Sequence, residues 1–554
     1  MATVVLASPQ KAAVRRTRDF PPTQWGDFFI RNVSLSENEK MIKEWKEEVE
    51  ALKEEVRKIL KEVVDNPSQQ LHMIDAIQRL NLSYHFRGEI AQVLDHIYST
   101  YHKSSHDDDL CSVALGFRLL RHNRYNVSTD VFQKFKDGEG KFRESLKSDV
   151  RGMLSLYEAS YIGFHRESIL DEALQFTKPY LKSIVNQLKP PLFDLVSHAL
   201  RWPVHRAVPC QEALDYVLIY EKEGHIDCIL RMGKLNFSIL QKLWQEELYI
   251  LTRWWIDLNL PSRLSFGRDR LIECFFWAIG SFPEPQHARA RKYLTQIYAI
   301  FVYVDDTYDV HGTIDELEIF TKAFERADSS MGGELPHYMH IIVQSTLDLY
   351  DEIAQETTKE QSAHCVAGAK EAVAQLAKAY NDEAKWFNDG YVSKLDEYLL
   401  VGSISCAYPM GVTVSTCGLG EMATKQVFDW LLSMPKILHA SSAACRIRDD
   451  TRTHEFEQKR GDVASTVECY MNEHGVSEQE AIDFLERKMT CLWKDMNEEL
   501  LKPSTRDIPL PIVDNIINHA RVLEVVYEKE AGLTFPKNVL NSVVMDLVVN
   551  PLDV

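Results

Sequence analysis

The sequence is short of turn formers: its 554 residues include only 23 glycines and 20 prolines. So few breakers favour long helices. Alternating strand patterns are nearly absent, which argues against a β-rich architecture. The ten cysteines, from Cys111 to Cys491, form no CxxC pair, so zinc-ribbon and dithiol-redox readings fail. They read as reduced, mostly buried thiols of an intracellular protein. No apolar run reaches about 18 residues, and no membrane span is expected. P-loop, HExxH and GxSxG signatures are missing. Lys and Arg number 63 against 82 Asp and Glu, a net charge of −19. A chain this acidic makes a poor nucleic-acid binder, and the plain reading of the excess is solubility. The N-terminus has no charged segment ahead of its short apolar stretch. Arg15 and Arg16 follow too soon for a plastid transit peptide, so the expected compartment is cytoplasmic.

What is present is helical periodicity. Residues 1–24 form a polar, Pro-containing arm. Ser36 and Glu39 then read as a capping box. Ile42, Trp45, Val49, Leu52, Val56, Ile59 and Val63 follow at spacings of three and four, and Pro67 closes the segment. This pattern fits a short coiled coil or a packed helical hairpin. The hairpin is preferred, because the next segments repeat the helical period. Short breaks at Asn66-Pro67, Lys189-Pro190-Pro191, Phe282 to Pro285 and Lys502-Pro503-Ser504 separate further helices. The expectation is an all-α chain of two helical domains, 25–228 and 229–554, joined near residues 222–232.

Two acidic stretches stand out. The first is a strongly apolar run from Tyr293 that ends in Asp305-Asp306-Thr307-Tyr308-Asp309, with Gly312 as the helix stop. Asp305 and Asp309 share one helical face, about 6 Å apart along the axis, and Asp306 is rotated away. Carboxylates at a helix C-terminus are unfavourable by roughly 0.3–1 kcal/mol each, so a cation should compensate. Hard oxygens without nearby His or Cys favour Mg²⁺. The competing reading is a solvated acidic helix end. In the second stretch, Asp449, Thr453 and Glu457 stand at i, i+4 and i+8, with Gly461 as a stop. Two carboxylates and a hydroxyl on one face can chelate one hard cation, whereas a charged surface helix with i,i+4 pairs is the plain alternative.

With these two motifs the chain resembles the plant class I terpene synthases, most closely the sesquiterpene synthases. Asp305 to Asp309 match the DDxxD motif, and Asp449, Thr453 and Glu457 match the second metal motif. Arg268-Asp269-Arg270 match the upstream RxR motif, and Arg15-Arg16 with Trp25 match the RRx8W arm. The segments Phe117 to Arg121 and Asp130 to Lys136 also read like the family, from about residue 15 to the end of the chain.

The resemblance implies a C-terminal class I isoprenoid synthase fold behind an N-terminal α-barrel-like helical domain without known catalysis. Protonation-initiated cyclisation is not expected, because Asp107-Asp108-Asp109 lacks the DxDD spacing. The resemblance further implies Mg²⁺, with Mn²⁺ as a substitute, held by Asp305, Asp309, Asp449, Thr453 and Glu457, and farnesyl diphosphate as substrate. Arg268, Arg270 and Arg446 would hold the departing diphosphate. Trp277 would face the carbocation, or be an ordinary core tryptophan. Tyr527 is a candidate proton relay or a packing residue. The arm would fold over the site as a lid, or be a tail.

Three departures stand against the pattern. Ala531-Gly532-Leu533-Thr534 replaces an Asp-Gly-Tyr-Thr segment, and Arg326-Ala327 replaces Arg-Trp. Arg448 precedes Asp449 where an apolar residue is usual; it either reorients the second metal set or points away. The alternatives are a synthase of monoterpenes or acyclic terpene alcohols, or a degenerate cyclase that binds isoprenoid diphosphate without catalysis. A monomer is the default.

Overall fold

The computed structural model describes residues 20–62, 66–101, 109–328, 334–460, 463–529, 531–537 and 540–554. Arg15, Arg16, Val63, Asp107, Asp108 and Gly461 lie outside them. Among the described residues every regular element is a helix, and Lys136 and Phe142 form only an isolated β-bridge.

The helix starts follow from side chains that satisfy the first, otherwise orphaned N–H groups. Asn66 accepts from Gln69, ahead of Pro67 at the first helical position. Asp109 accepts from Cys111 and Ser112, so the end of the 107–109 acidic run is a helix cap. Thr313, Ser465 and Ser477 form capping boxes with Glu316, Glu468 and Glu480. The Ser36–Glu39 box is displaced. The helix runs Leu35–Glu62, and the Ser34 carbonyl accepts from Asn38 N–H at 3.0 Å, which puts Ser36 inside the first turn. Arg326-Ala327 ends the Ile314–Arg326 helix, with Ala327 in the left-handed conformation at φ +47°.

The apolar stripe of Leu35–Glu62 buries Ile42, Val49 and Val56. Its partner corrects the local-hairpin expectation: it packs along the Asp227–Leu258 helix, far away in the chain. Arg231 Nε pairs with Glu48 at 2.7 Å across 183 residues, and Asn38 Nδ2 donates to the Lys242 carbonyl at 3.3 Å.

The Asp227–Leu258 helix has 32 residues, about 48 Å at 1.5 Å per residue. Its first turns place Ile229, Met232 and Leu235 in the core of the N-terminal half. Its later turns place Trp244, Leu248 and Trp255 in the core of the C-terminal half. A short turn after the Pro209–Lys222 helix leads into it. At the far end of the chain, Gln241 Nε2 donates to the Leu547 and Asn550 carbonyls at 3.1 and 2.8 Å, and Gln245 Nε2 donates to the Val548 carbonyl at 2.8 Å. These bonds satisfy the open carbonyls at the C-terminus of the Leu540–Val548 helix.

Among the described residues, one stretch, Leu395–Met422 in the C-terminal half, is long and apolar enough to cross a membrane by composition, with a mean hydropathy of 1.3. Its most apolar window is 72% buried inside the protein, and it breaks at Ala407, which has φ +66°. It is a core element.

Candidate active site

The Ala288–Asp306 helix is buried through Tyr293, Leu294, Ile297 and Ile300. Its last residues therefore emerge at a fixed place beside the core. There the backbone widens into a π-helical turn, Thr307–His311, closed by Gly312 N–H to the Thr307 carbonyl at 2.8 Å. Sequence periodicity predicted an ordinary α-helical end. Gly312 does stop the helix, but through close packing and not through a left-handed conformation. A Cβ there would meet Leu317 Cδ2 at 2.5 Å and the Thr307 carbonyl oxygen at 3.0 Å.

Asp305 and Asp309 line a cavity from this side. Across it, the Lys436–Arg460 helix presents Asp449, Thr453 and Glu457 to the same hollow. Arg268, Arg270, Trp277, Arg446 and Tyr527 line it too. The structure thus brings these ten residues around one cavity; Trp25 of the arm lies in the core instead.

The arginines are paired with the acids. Arg268 Nη2 reaches Asp305 Oδ2 at 2.5 Å, while its backbone N–H and Nε contact Asp306 at 2.8 and 3.0 Å. Arg446 donates to Asp449 through Nη2 and forms an ion pair with Asp450, Nε to Oδ1 at 2.8 Å. Asp450 also accepts from the backbone N–H of Thr466 at 2.8 Å. Asp306 and Asp450, each next to a cavity-facing aspartate, are thus buried anchors for Arg268 and Arg446. The Asp449 carboxyl is pushed up by burial against the pull of Arg446.

Arg270 behaves differently from Arg268. It is almost fully buried. It donates to the Leu533, Asp269 and Pro21 carbonyls at 2.7, 2.7 and 2.9 Å and to the Thr534 carbonyl at 3.3 Å. The described end of the N-terminal arm and the altered Ala531–Thr534 segment are therefore clasped by one guanidinium. Phe20 lies over Arg268 at 5.1 Å, at the cavity mouth. Arg448 turns away from the hollow to pair with Glu486 at 2.7 Å and Glu524 at 3.5 Å, leaving the second acidic set undisturbed.

The wall below the acids is apolar and aromatic. Trp277 meets Tyr298 and Tyr408 edge-on at 6.2 and 5.9 Å, and Phe301 and Val302 complete that side. Sequence reasoning missed Tyr298, Tyr408 and Glu383. Glu383 adjoins the acidic rim, accepts from Ser405 at 2.6 Å, and is pushed up to about 7 by burial, opposed by Arg446. None of the three belongs to a motif. Only the i−7 offset of Tyr298 from Asp305 could have placed it on the same helical face.

The donors suit a hard divalent cation: they are oxygens, on two facing helices. Among the described residues no three His, Cys, Asp or Glu side chains close on one point. Mg²⁺-type ions are commonly held by one or two carboxylates together with water and substrate oxygens. Six carboxylates (Asp305, Asp309, Glu383, Asp449, Asp450 and Glu457) and three arginines (Arg268, Arg270 and Arg446) line this hollow and the adjoining one, an acid surplus that favours bound cations.

Known proteins resemble this chain in sequence and fold. Residues 24–200 match the family described as terpene synthase, N-terminal domain, and residues 256–495 match the terpene synthase family, metal binding domain. The chain is 50% identical to probable terpene synthase 3 of Ricinus communis across 100% of both chains. It is 44% identical to the (−)-germacrene D synthase of Vitis vinifera across 99% of each. Its fold is similar to isoprene synthase from grey poplar leaves (Populus x canescens), solved with three Mg²⁺ ions and dimethylallyl-S-thiolodiphosphate. That likeness has a TM-score of 0.86 at 31% identity and covers 96% of this chain and 99% of that one. Both halves of the chain are matched, and two oxygen-bearing helices face each other over an aromatic hollow: the chain belongs to the terpene synthase family of lyases.

Proposed function

We propose that the chain is a sesquiterpene synthase: it ionises farnesyl diphosphate with Mg²⁺, cyclises the carbocation and releases diphosphate. The observation that carries this reading is the single cavity with Asp305 and Asp309 on one rim, Asp449, Thr453 and Glu457 on the other, and aromatic rings beneath. The (−)-germacrene D synthase relative, matched over nearly its full length, supports the substrate class, and the Mg²⁺ bound to grey poplar isoprene synthase supports the ion.

Asp305 and Asp309, and opposite them Asp449, Thr453 and Glu457, would hold the Mg²⁺ ions, with Mn²⁺ as a substitute. When bound, the ions neutralise charge on the leaving diphosphate. Arg268 and Arg446, now paired with Asp305 and Asp449, are placed to donate charge-assisted hydrogen bonds to the same anion. They keep it from recapturing the cation. Trp277, Tyr298 and Tyr408 present ring faces and edges that exclude water and stabilise positive charge, about 0.5–2 kcal/mol per well-placed ring.

Incubating the purified protein with Mg²⁺ and either farnesyl or geranyl diphosphate, then analysing the volatiles, tests the reading. A sesquiterpene from the first substrate is the expected result. Turnover of geranyl diphosphate alone would make it a monoterpene synthase. Diphosphate retained with no volatile product would favour the binding-only reading.

A further inference from the structure

We propose that Tyr298 and His519 form a proton-accepting pair in the cavity wall, which ends the reaction by taking a proton from the final carbocation. The inference deepens the reading above and rests on it.

Tyr298 stands seven residues before Asp305 on the same helix, two turns away on the same face. That is about 10 Å from the acidic rim, so it faces hydrocarbon, not diphosphate. Its ring lines the cavity edge-on to Trp277 at 6.2 Å. The phenol is held in one position. Its oxygen lies 3.0 Å from His519 Nε2, and on the Tyr408–Thr416 helix a Cβ at Gly411 would stand only 2.2 Å from it. Glycine at 411 is what gives this hydroxyl its seat.

The partners of His519 fix its tautomer. Nδ1 lies 2.9 Å from the Asn515 carbonyl, which can only accept, so Nδ1 carries the proton. Nε2 is then a bare lone pair, and Tyr298 O–H donates to it. Ser281 Oγ at 3.2 Å also faces Nδ1, and Tyr408 O–H is spent on the His519 carbonyl at 3.0 Å. His519 is fully buried, on a helix otherwise rich in Ile, Val and Leu. Burial pushes it down to about 4 and keeps it neutral.

The step balances without a co-reactant. A C–H bond next to the cationic carbon breaks, and its electron pair becomes the alkene π bond. The proton goes to Tyr298 Oη while the phenol's own proton passes to His519 Nε2. The charge moves from substrate to imidazolium. A carbocation is a far stronger acid than an imidazolium, so even a weakly basic histidine suffices. The proton is returned to water or diphosphate when the cavity opens.

Two variants test the pair against a merely structural role, with Mg²⁺ and farnesyl diphosphate as probes and geranyl diphosphate in parallel. Tyr298→Phe keeps the ring and removes the hydroxyl. His519→Gln keeps an acceptor for Tyr298 but cannot take its proton. Diphosphate release is measured alongside, so that products are compared per substrate ionised whatever the rate. The share of the parent's main hydrocarbon is expected to fall about fivefold or more, in favour of alcohols or alkenes formed by losing a different proton. An unchanged product ratio in either variant overturns the proposal; if only His519→Gln is unchanged, the histidine merely positions the phenol. Release slowed more than tenfold with an unchanged ratio, or a parent product formed by water capture alone, overturns it too. Parent turnover of geranyl diphosphate alone corrects the substrate assignment instead, and the same comparison of ratios is then read in that arm.

Discussion

Asp305 and Asp306 are neighbours with opposite surroundings. The Asp305 side chain is 29% exposed at the cavity rim, whereas that of Asp306 is 0% exposed beneath Arg268. Asp305→Ala is expected to slow diphosphate release by about a hundredfold or more, with little change in melting temperature. Asp306→Ala is expected to destabilise the fold by roughly 3 kcal/mol, because it removes the buried partner of a buried cation; urea titration measures it. The four-residue spacing of Asp305 and Asp309, and of Asp449, Thr453 and Glu457, made their shared faces readable in the sequence. Which aspartate of each adjacent pair is buried was not readable, since the shell around Asp306 is completed by residue 268 and that around Asp450 by Thr466. His519 was still less visible, lying in an apolar run that reads as plain core. Its partner Tyr298 is 221 residues away.

Among the elements, three helices of the N-terminal half meet at one carboxylate. Glu212, on Pro209–Lys222, takes Arg79 Nε at 2.6 Å from Pro67–Arg79 and His198 Nε2 at 2.5 Å from Leu192–Arg201. Although burial opposes ionisation, these partners hold Glu212 down at about 2, against an ordinary 4.5. A depressed carboxyl contributes its full stabilisation above the unfolded value, about 3 kcal/mol here. The contribution is lost as pH falls from about 4.5 through about 2. Glu212→Gln is therefore expected to cost about that much at pH 7, and the gap to the parent should narrow steadily below pH 4.5 in urea titrations across that range. The helical character and breaks such as Asn66-Pro67 were legible, but the one cap read, at Ser36, was misplaced, and those at Thr313 and Ser477 went unread although each acts within its own first turn. The π-helical turn at Thr307–His311 was not legible, because its wider ring depends on the packing of Leu317 against Gly312.

For the whole molecule, the Asp227–Leu258 helix belongs to both cores and also holds the end of the chain through Gln241. Gln241→Leu would leave the Leu547 and Asn550 carbonyls buried without a donor, at a cost of roughly 1–3 kcal/mol. Circular dichroism and tryptophan fluorescence should then move together to a lower urea midpoint in one shared transition. The same shared helix means that no clean cut frees the catalytic half. Severing the chain before Asp227 strips the greasy side of the early turns, and severing it after Leu258 takes away Trp244, Leu248 and Trp255. The N-terminal half is thus the scaffold on which the cavity-bearing half stands, and transplanting the cavity into a smaller protein would require a new underside for this one rod.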